Sequence, residues 1–418
     1  MSRLIFHIDA NSAYLSWEAA YRLQSGEQLD LRTVASVVGG DEESRHGIVL
    51  TKSIPAKKFD IHTGETLYSA RAKCPGLVIV PPRYALYMKC SEAMHQIFLE
   101  YTPNIQRFSV DESFLDFSNM QHLYPDYLKL AQIIKDRIKN ELGFTVNIGI
   151  SCNKLLAKVA SDFTKPDRVH TLFPSDIKQK MWPLPVEDLF MVGRATAPKL
   201  HNLNINTIGE LANYNLDILK NKLKSHGQVI WNYANGIEFS EVRKSNYIKM
   251  KGIGNSTTIA FDVEDKITAH KVILSLCETV SMRLRDSQNC CTVISISIRG
   301  SDLIFYSRQK KLVVATDSTR KIYEIACYLF DNVWKGNSIR HLGVHITDFC
   351  SNEFYQCSLL DSFDYEKDKK INDAVDKIRL KYGSKAVVRS CFLHSGLNSM
   401  CGGMADGEED YPLMSAML

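Results

Sequence analysis

The sequence predicts an α+β chain of several domains, and three observations carry that expectation. Its 418 residues exceed what one hydrophobic core usually organises. Between about residues 4 and 150 the apolar pattern alternates between strand and helix periods in the order β, α, β, β, α, β, once a separate stretch at 25–77 is set aside. A helical stretch at 171–236, a polar linker at 237–250 and a second mixed region at 251–355 follow.

Each element has a local cause. Leu4 to Asp9 reads as a strand with Ile5, His7 and Asp9 on one face, and Asn11 or Ser12 can cap the helix whose apolar positions are Ala13, Tyr14, Trp17, Ala20 and Tyr21. The 25–77 stretch holds two alternating runs around GGDEESRH, then KSIPAKKFDIHTGE. Glycines beside Asp41, Glu42 and Glu43 fit either a metal-binding hairpin, as in nucleotide cyclases, or a solvated acidic turn. Helical spacing resumes at Tyr84, followed by two strands around VDES, a helix at about 123–142 and the strand FTVNIGI. That order is ferredoxin-like, with residues 1–24 and 78–170 making one domain around the insert. Many chemistries and many binding modules share such a sheet, so the fold alone assigns no function. In the later region, helices are expected at 268–286 and 317–334 beside strands such as TVISISIRG and LGVHITDF. From 356 the sequence shows QCSLL, a charged helix and an acidic tail of disordered composition.

Composition excludes some classes. At 45% hydrophobic and 23% charged the chain is globular, and it has no run of 18 apolar residues that would span a membrane. A cytoplasmic location is expected. Eleven cysteines without a C-x-x-C pair read as reduced packing residues. Net charge is only +4, but residues 171–355 hold 23 Lys and Arg against 18 Asp and Glu, a surplus that suits a phosphate backbone if it shares a face.

The chemistry is concentrated in FSVDESFLDF. Phe108 and Val110 are apolar at even positions, Leu115 and Phe117 at odd ones, so the alternation changes parity at Asp111, Glu112 and Ser113. A parity change marks a turn or bend where both carboxylates can converge, and Asp9 ends the other candidate central strand. Three hard-oxygen ligands at strand ends are what two Mg²⁺ ions need for phosphoryl or nucleotidyl transfer. Alone, a D-E pair is equally a polar hairpin turn.

HIDANSAYLSWE, FSVDESFLDF and GISCNKLLAKVASDFTKP, in that order, resemble the palm motifs of Y-family translesion DNA polymerases. KKFDIHTGE, VEDLFMVGRATAPKL, KGIGNSTT and QCSLL extend the resemblance over about residues 1–390. It implies a right-hand polymerase: a ferredoxin-like palm, small fingers at 25–77, a helical thumb with a helix-hairpin-helix, and an α+β little finger. Asp9, Asp111 and Glu112 then stand for the metal carboxylates, with the backbone carbonyl of Ala10 as a further ligand to two Mg²⁺. Ser109 matches the family's S-x-D-E. Asn11 replaces a second Asp that many relatives carry; that acid is not a metal ligand, so the metal site is expected to tolerate the amide.

The resemblance makes Tyr14 the aromatic gate against a ribose 2′-OH, although its spacing also suits the apolar face of its helix. Thr51, Lys57 and Lys165 match triphosphate contacts, whereas Lys154 and Lys158 are expected on a solvated or DNA-facing surface. Ile54 and Lys57 replace the family's usual Tyr and Arg, giving up an aromatic cover and a bidentate fork. Gly193 in the thumb, with Met191 where a first glycine is usual, and Arg308, Lys310 and Lys311 in the little finger are the expected DNA contacts. Gln356, Ser358, Leu359 and Leu360 resemble the peptide that holds a sliding clamp of the β-subunit type, with Leu360 where Phe is usual. His341 and His345 share a strand face but lack a third metal ligand.

The expected activity is templated addition of dNTPs to a primer 3′-OH, with primer–template DNA and a clamp as partners, no membrane, and a monomeric state. A nucleotide cyclase using Asp41 and Glu42, or a DNA-binding module without catalysis, are the rival readings.

Overall fold

The computed structural model describes residues 3–120, 122–243, 250–353 and 364–401. Twelve strands among them form three sheets. The first sheet contains β1 (Ile5–Ala10), β5 (Ile105–Arg107), β6 (Glu112–Asp116), β7 (Val146–Ser151) and β8 (Val169–Thr171), in the order β5-β6-β1-β7-β8. Its first four strands are antiparallel and ordered as in a ferredoxin-like sheet; β8 is added in parallel to the β7 edge. Phe6, Ile8 and Ala10 point into the main core with Trp17, Tyr87, Phe98 and Ile134 from the helices Ala13–Gln24, Tyr84–Leu99 and Tyr127–Arg137. The alternate positions face the helix Lys154–Asp162, where Ile5, Phe108, Phe114 and Ala157 make a small second cluster.

That helix lies very close to the sheet. A Cβ at Gly149 would collide with the Ala157 carbonyl and the Ser161 N–H, so the bare glycine sets the distance at which the helix carries its side chains over β1 and β6.

The insert forms its own sheet, β3-β2-β4, from β2 (Ser36–Gly39), β3 (Val49–Lys52) and β4 (Val78–Val80) around Val37, Val49, Ile61 and Leu67. Because β4 pairs in parallel with β2, this unit takes in Val80, three residues past the boundary expected at 77. The GGDEESRH turn joins β2 to β3. Asp41 accepts the N–H groups of Glu43 and Ser44, Glu42 pairs with Arg71 at 2.5 Å, and Arg45 reaches Asp262 at 2.5 Å.

Short helices from Ala197–His201 to Ser225–Ala234 build the thumb around Leu200, Ile208, Leu211 and Ile230. The start of the expected linker is tied to the palm rather than free. Arg3 donates to Ser240 O at 2.8 Å, the Lys154 N–H to Glu238 at 3.2 Å and the Arg243 N–H to Gln106 at 3.2 Å.

The third sheet, β11-β10-β12-β9, comprises β9 (Gly252–Val263), β10 (Asn289–Gly300), β11 (Phe305–Thr316) and β12 (Ile339–Ser351). The helices Lys266–Asp286 and Thr319–Val333 cover one face through Ile273, Leu276, Ile322 and Phe330. The element order repeats that of the palm, yet the strand order differs, because β12 inserts between β10 and β9.

The charged helix forms at Tyr365–Tyr382. Between that helix and the expected acidic tail, residues 383–401 return to the little finger: Phe392 is buried, Ser275 Oγ donates to Asn398 O, and the Cys401 N–H donates to Ser275 Oγ. Residues 402–418 and the QCSLL segment with Gln356, Ser358, Leu359 and Leu360 lie outside the described residues.

Candidate active site

Strand register aligns Asp9 with Glu112 on one side and Asn147 on the other, so Glu112, Asp9 and Asn147 form a row across the three central palm strands. The parity change seen in the sequence is the turn between β5 and β6: the Phe108 and Ser109 N–H groups both donate to Glu112 O. Ala10 N–H donates to Asp111 O at 3.1 Å, tying that turn to the end of β1 and bringing Asp111 to the same corner. Ser109 shapes the corner further. Its hydroxyl donates to Asp111 Oδ1 at 2.5 Å and accepts the Glu112 N–H at 3.1 Å.

The three carboxylates differ electrostatically. Burial pushes the Asp9 carboxyl above its ordinary range against the pull of Lys165, and burial likewise raises Asp111 against its Ser109 hydrogen bond. Burial also works to raise Glu112, but His7 and Lys158 outweigh it and hold Glu112 well below the usual carboxylate range. Lys158 Nζ lies 2.8 Å from Glu112 Oε1, and His7 Nε2 lies 3.8 Å from Oε2. Lys165 contacts Asp9 and lies 2.8 Å from Asp162; despite its burial, these two acids hold its pKa above the ordinary lysine value.

The donors are hard oxygens, and two of them ionise reluctantly where they are buried, which is the state that divalent cations relieve. The set therefore fits Mg²⁺. Among the described residues no three His, Cys, Asp or Glu side chains are already gathered as a cation cage, since Asp9 and Glu112 each rest on a lysine ammonium.

Beside this corner a cleft of about 390 Å³ opens between palm and fingers, lined by Asn11, Ser12, Leu15, Ser16, Arg32, Ser53, Ile54, Lys57, Thr145, Lys165 and Pro166. It gathers Lys57, Lys165 and Arg32, the last with its guanidinium paired to Asp30 at 2.9 Å and donating to Gly143 O at 2.7 Å. Thr51 sits next to it on β3, paired with Val38, without lining it. Tyr14 also does not line it: its ring stacks on Tyr87 at 4.5 Å and 10° and meets Tyr84 edge-on.

Two expectations for lysines are corrected. Lys154 is buried and donates to Gln106 and to Glu241 O, and burial brings its pKa down to about 8; it anchors the linker. Lys158 faces Glu112 and belongs to the site. Arg32 escaped the sequence reading for want of any motif, whereas His7 had a signal, its place on the Asp9 face of β1.

The other expected contacts are dispersed. Gly193 is exposed in the thumb turn, where Thr196 and Ala197 N–H groups both donate to Gly193 O. Met191, at the position of the missing glycine, has φ of +75°, the conformation a glycine there would adopt without strain. Arg308, Lys310 and Lys311 do not share one face of β11. Arg308 and Lys310 lie opposite the buried Ile296 and Ile294, with Lys310 over the Tyr328 ring, while Lys311 points the other way and pairs with Asp348. His341 accepts or donates a single bond with Thr258, and His345 fills space left by Gly254.

Carboxylates at the strand ends of a ferredoxin-like palm, next to a cationic cleft under a small second sheet, define the class of nucleotidyl-transfer polymerases. Residues 8–162 match the family described as impB/mucB/samB, residues 250–359 its C-terminal domain and residues 174–205 the IMS family HHH motif. The chain is 49% identical to the DNA polymerase IV of Clostridium acetobutylicum, over 94% of this chain and 99% of that one. It is 39% identical to the DNA polymerase IV of Acetivibrio thermocellus, over 95% and 100%. A solved Y-family DNA polymerase chimera shares the fold, with a TM-score of 0.71 at 21% identity, covering 84% of this chain and 100% of its own. The chain belongs to the impB/mucB/samB family, the Y-family translesion DNA polymerases, and is a DNA-directed DNA polymerase. No helix among its described residues is long and apolar enough to cross a membrane.

Proposed function

We propose that the enzyme extends a primer 3′-OH along a template by two-metal nucleotidyl transfer at Asp9, Asp111 and Glu112, with low fidelity and without proofreading, in DNA damage tolerance. The observation that supports the reading is that strand register and the β5–β6 turn bring the backbones of these three residues to one corner of the palm sheet beside the cleft. The 3′-OH attacks the α-phosphate of a dNTP and pyrophosphate leaves. Two Mg²⁺ held by these acids and the Ala10 carbonyl would supply positive charge to the attacking and leaving oxygens.

The chain's own groups do the rest. Lys165, Lys57 and Arg32 meet the triphosphate from both sides of the cleft, with Thr51 at its margin. Lys158 and His7 keep Glu112 ionised and oriented. Tyr14 closes the sugar end against a 2′-OH. Gly193 bears on the DNA backbone, as do Arg308 and Lys310 from one face of β11 and Lys311 from the other, each as a separate contact, and Gln356, Ser358, Leu359 and Leu360 bind a sliding clamp of the β-subunit type. The protein works as a monomer in the cytoplasm.

Fingers built of three strands and two short helices, Ile54–Lys57 and Leu67–Lys73, offer little surface to check the nascent pair, which supports low fidelity. Against the cyclase reading, Asp41 is spent on its own turn and Glu42 on Arg71. Primer extension with Mg²⁺ and dNTPs tests the proposal. Asp111→Ala is expected to lower kcat by about a thousandfold or more, and Asp41→Ala to leave it unchanged. Undiminished extension by the Asp111 variant sinks the assignment.

A further inference from the structure

Asn11 is buried, and its side chain is bonded on every side. Its Oδ1 accepts the Asp167 N–H at 3.0 Å and the Thr145 hydroxyl at 3.0 Å, and its Nδ2 donates to Asn147 Oδ1 at 3.2 Å. Asn147 is fully buried directly across from Asp9. Its Nδ2 donates to Ser161 O at 3.0 Å and Thr164 O at 2.8 Å, while its Oδ1 also accepts the Arg168 N–H at 3.2 Å. Backbone groups on both sides remove the usual ambiguity of amide orientation. A backbone N–H can only donate and a carbonyl can only accept, so neither amide can flip, and the Asn11–Asn147 bond has one polarity.

Apart from Thr145, everything this pair holds lies along one stretch, from the last turn of the helix Lys154–Asp162 through the loop that follows it. Ser161 and Thr164 precede Lys165, and Asp167 and Arg168 follow it. Asp167 is gripped from outside as well, by Lys135 at 2.7 Å and Lys139 at 2.8 Å. The loop delivers Lys165 to Asp9 and to the wall of the cleft.

We infer that Asn11 and Asn147 act together as positioning residues for Lys165, and that position 11 requires an amide in this chain because Asn147 presents it an acceptor. This extends the proposed function and rests on its reading of Lys165 as a triphosphate contact. An Asp at 11 keeps the bonds to Asp167 and Thr145 but turns a carboxylate oxygen against Asn147 Oδ1, a buried acceptor–acceptor conflict that Asn147 cannot relieve by flipping. The acid many relatives carry at this place is thus unsuited to this chain's β7.

Steady-state single-nucleotide insertion with the full chain tests this, comparing wild type, Asn11→Asp, Asn147→Ser, the double variant and Lys165→Ala. Asn11→Asp is expected to raise KM for dNTP by about tenfold with a smaller change in kcat. Asn147→Ser, which removes the opposed oxygen, is expected to raise KM alone by about fivefold, and the double variant by clearly less than the product of the two. KM unchanged in Asn11→Asp, or strictly multiplicative effects, overturns the inference while leaving the proposed function intact. KM unchanged in Lys165→Ala overturns both the reading of Lys165 and the inference built on it. Should Asn11→Asp fail to fold, Asn147→Ser decides through its own ratio of KM to kcat.

Discussion

Tyr14 stands five residues beyond Asp9 in the first turn of the helix Ala13–Gln24, and its ring is held flat against Tyr87 at 4.5 Å. Stacking leaves such a ring little freedom to yield, so a sugar hydroxyl arriving at its edge meets a stiff wall. Replacing it with Ala is expected to raise ribonucleotide incorporation by about a hundredfold relative to dNTP while costing modest stability. The ratio of kcat/KM for rNTP and dNTP in primer extension checks this, and an unchanged ratio removes the gate role. The residue scale also shows what position within a motif can and cannot convey. Alternation, a local property of one strand, made the bend at Asp111 and Glu112 and the strand end at Asp9 legible, while their role as metal carboxylates came only from the resemblance. The burial of Lys154 was not, since a lysine on a helix reads as surface unless the chain that later folds over it, here Glu238 to Arg243, is known.

Among the elements, the helix Lys154–Asp162 depends most on a single atom's absence. Gly149 lets it lie against β7, and from there it presents Lys158 to Glu112 and Ser161 to His7, whose Nδ1 is 2.8 Å from Ser161 Oγ. Gly149→Ala must displace the helix or the strand. We expect a loss of about 2 kcal/mol in stability, measured by urea unfolding, together with a fall in kcat that exceeds what partial unfolding explains. A stable variant with wild-type kcat would show that the approach is not tuned. The β, α, β, β, α, β order of the palm was readable from the switch between periods 2 and 3.6, but the added edge strand β8 was not. Strand order in the little finger was not, because the same β, α, β, β, α, β pattern is compatible with both sheets, and only the pairing of β12 between β10 and β9 separates them. The face carried by each cation of β11 was lost for a related reason: adjacent residues of a strand point oppositely, so Lys310 and Lys311 cannot act as one patch.

At the scale of the molecule, charge joins distant segments. Glu278, nearly inaccessible in the little-finger helix, meets Arg379 at 2.5 Å and also Arg389, both from beyond the last sheet. Arg285 and Asp376 pair at 2.6 Å on the same seam. Removing Arg379 leaves the buried acid only the half-exposed Arg389 as counter-charge. Arg379→Leu is therefore expected to cost about 3 kcal/mol in chemical denaturation, and the double change with Glu278→Leu to recover most of it. Equal losses for the single and double variants would mean that packing, rather than charge, holds the seam. Nothing in the composition of residues 383–401 announced this docking. Its partners, Ser275 and Glu278, lie more than a hundred positions away in sequence.

The same seam separates two meanings of a domain's end. The family's C-terminal match closes at residue 359, yet the acid of Glu278 is answered 101 positions later, by Arg379. A chain shortened to the limit of that domain match would lose the counter-charges of a carboxylate it still contains. In this polymerase the stretch past that domain match, which the Clostridium acetobutylicum relative still shares, is the second half of a neutralisation begun inside it, and trimming there cuts into the little-finger body.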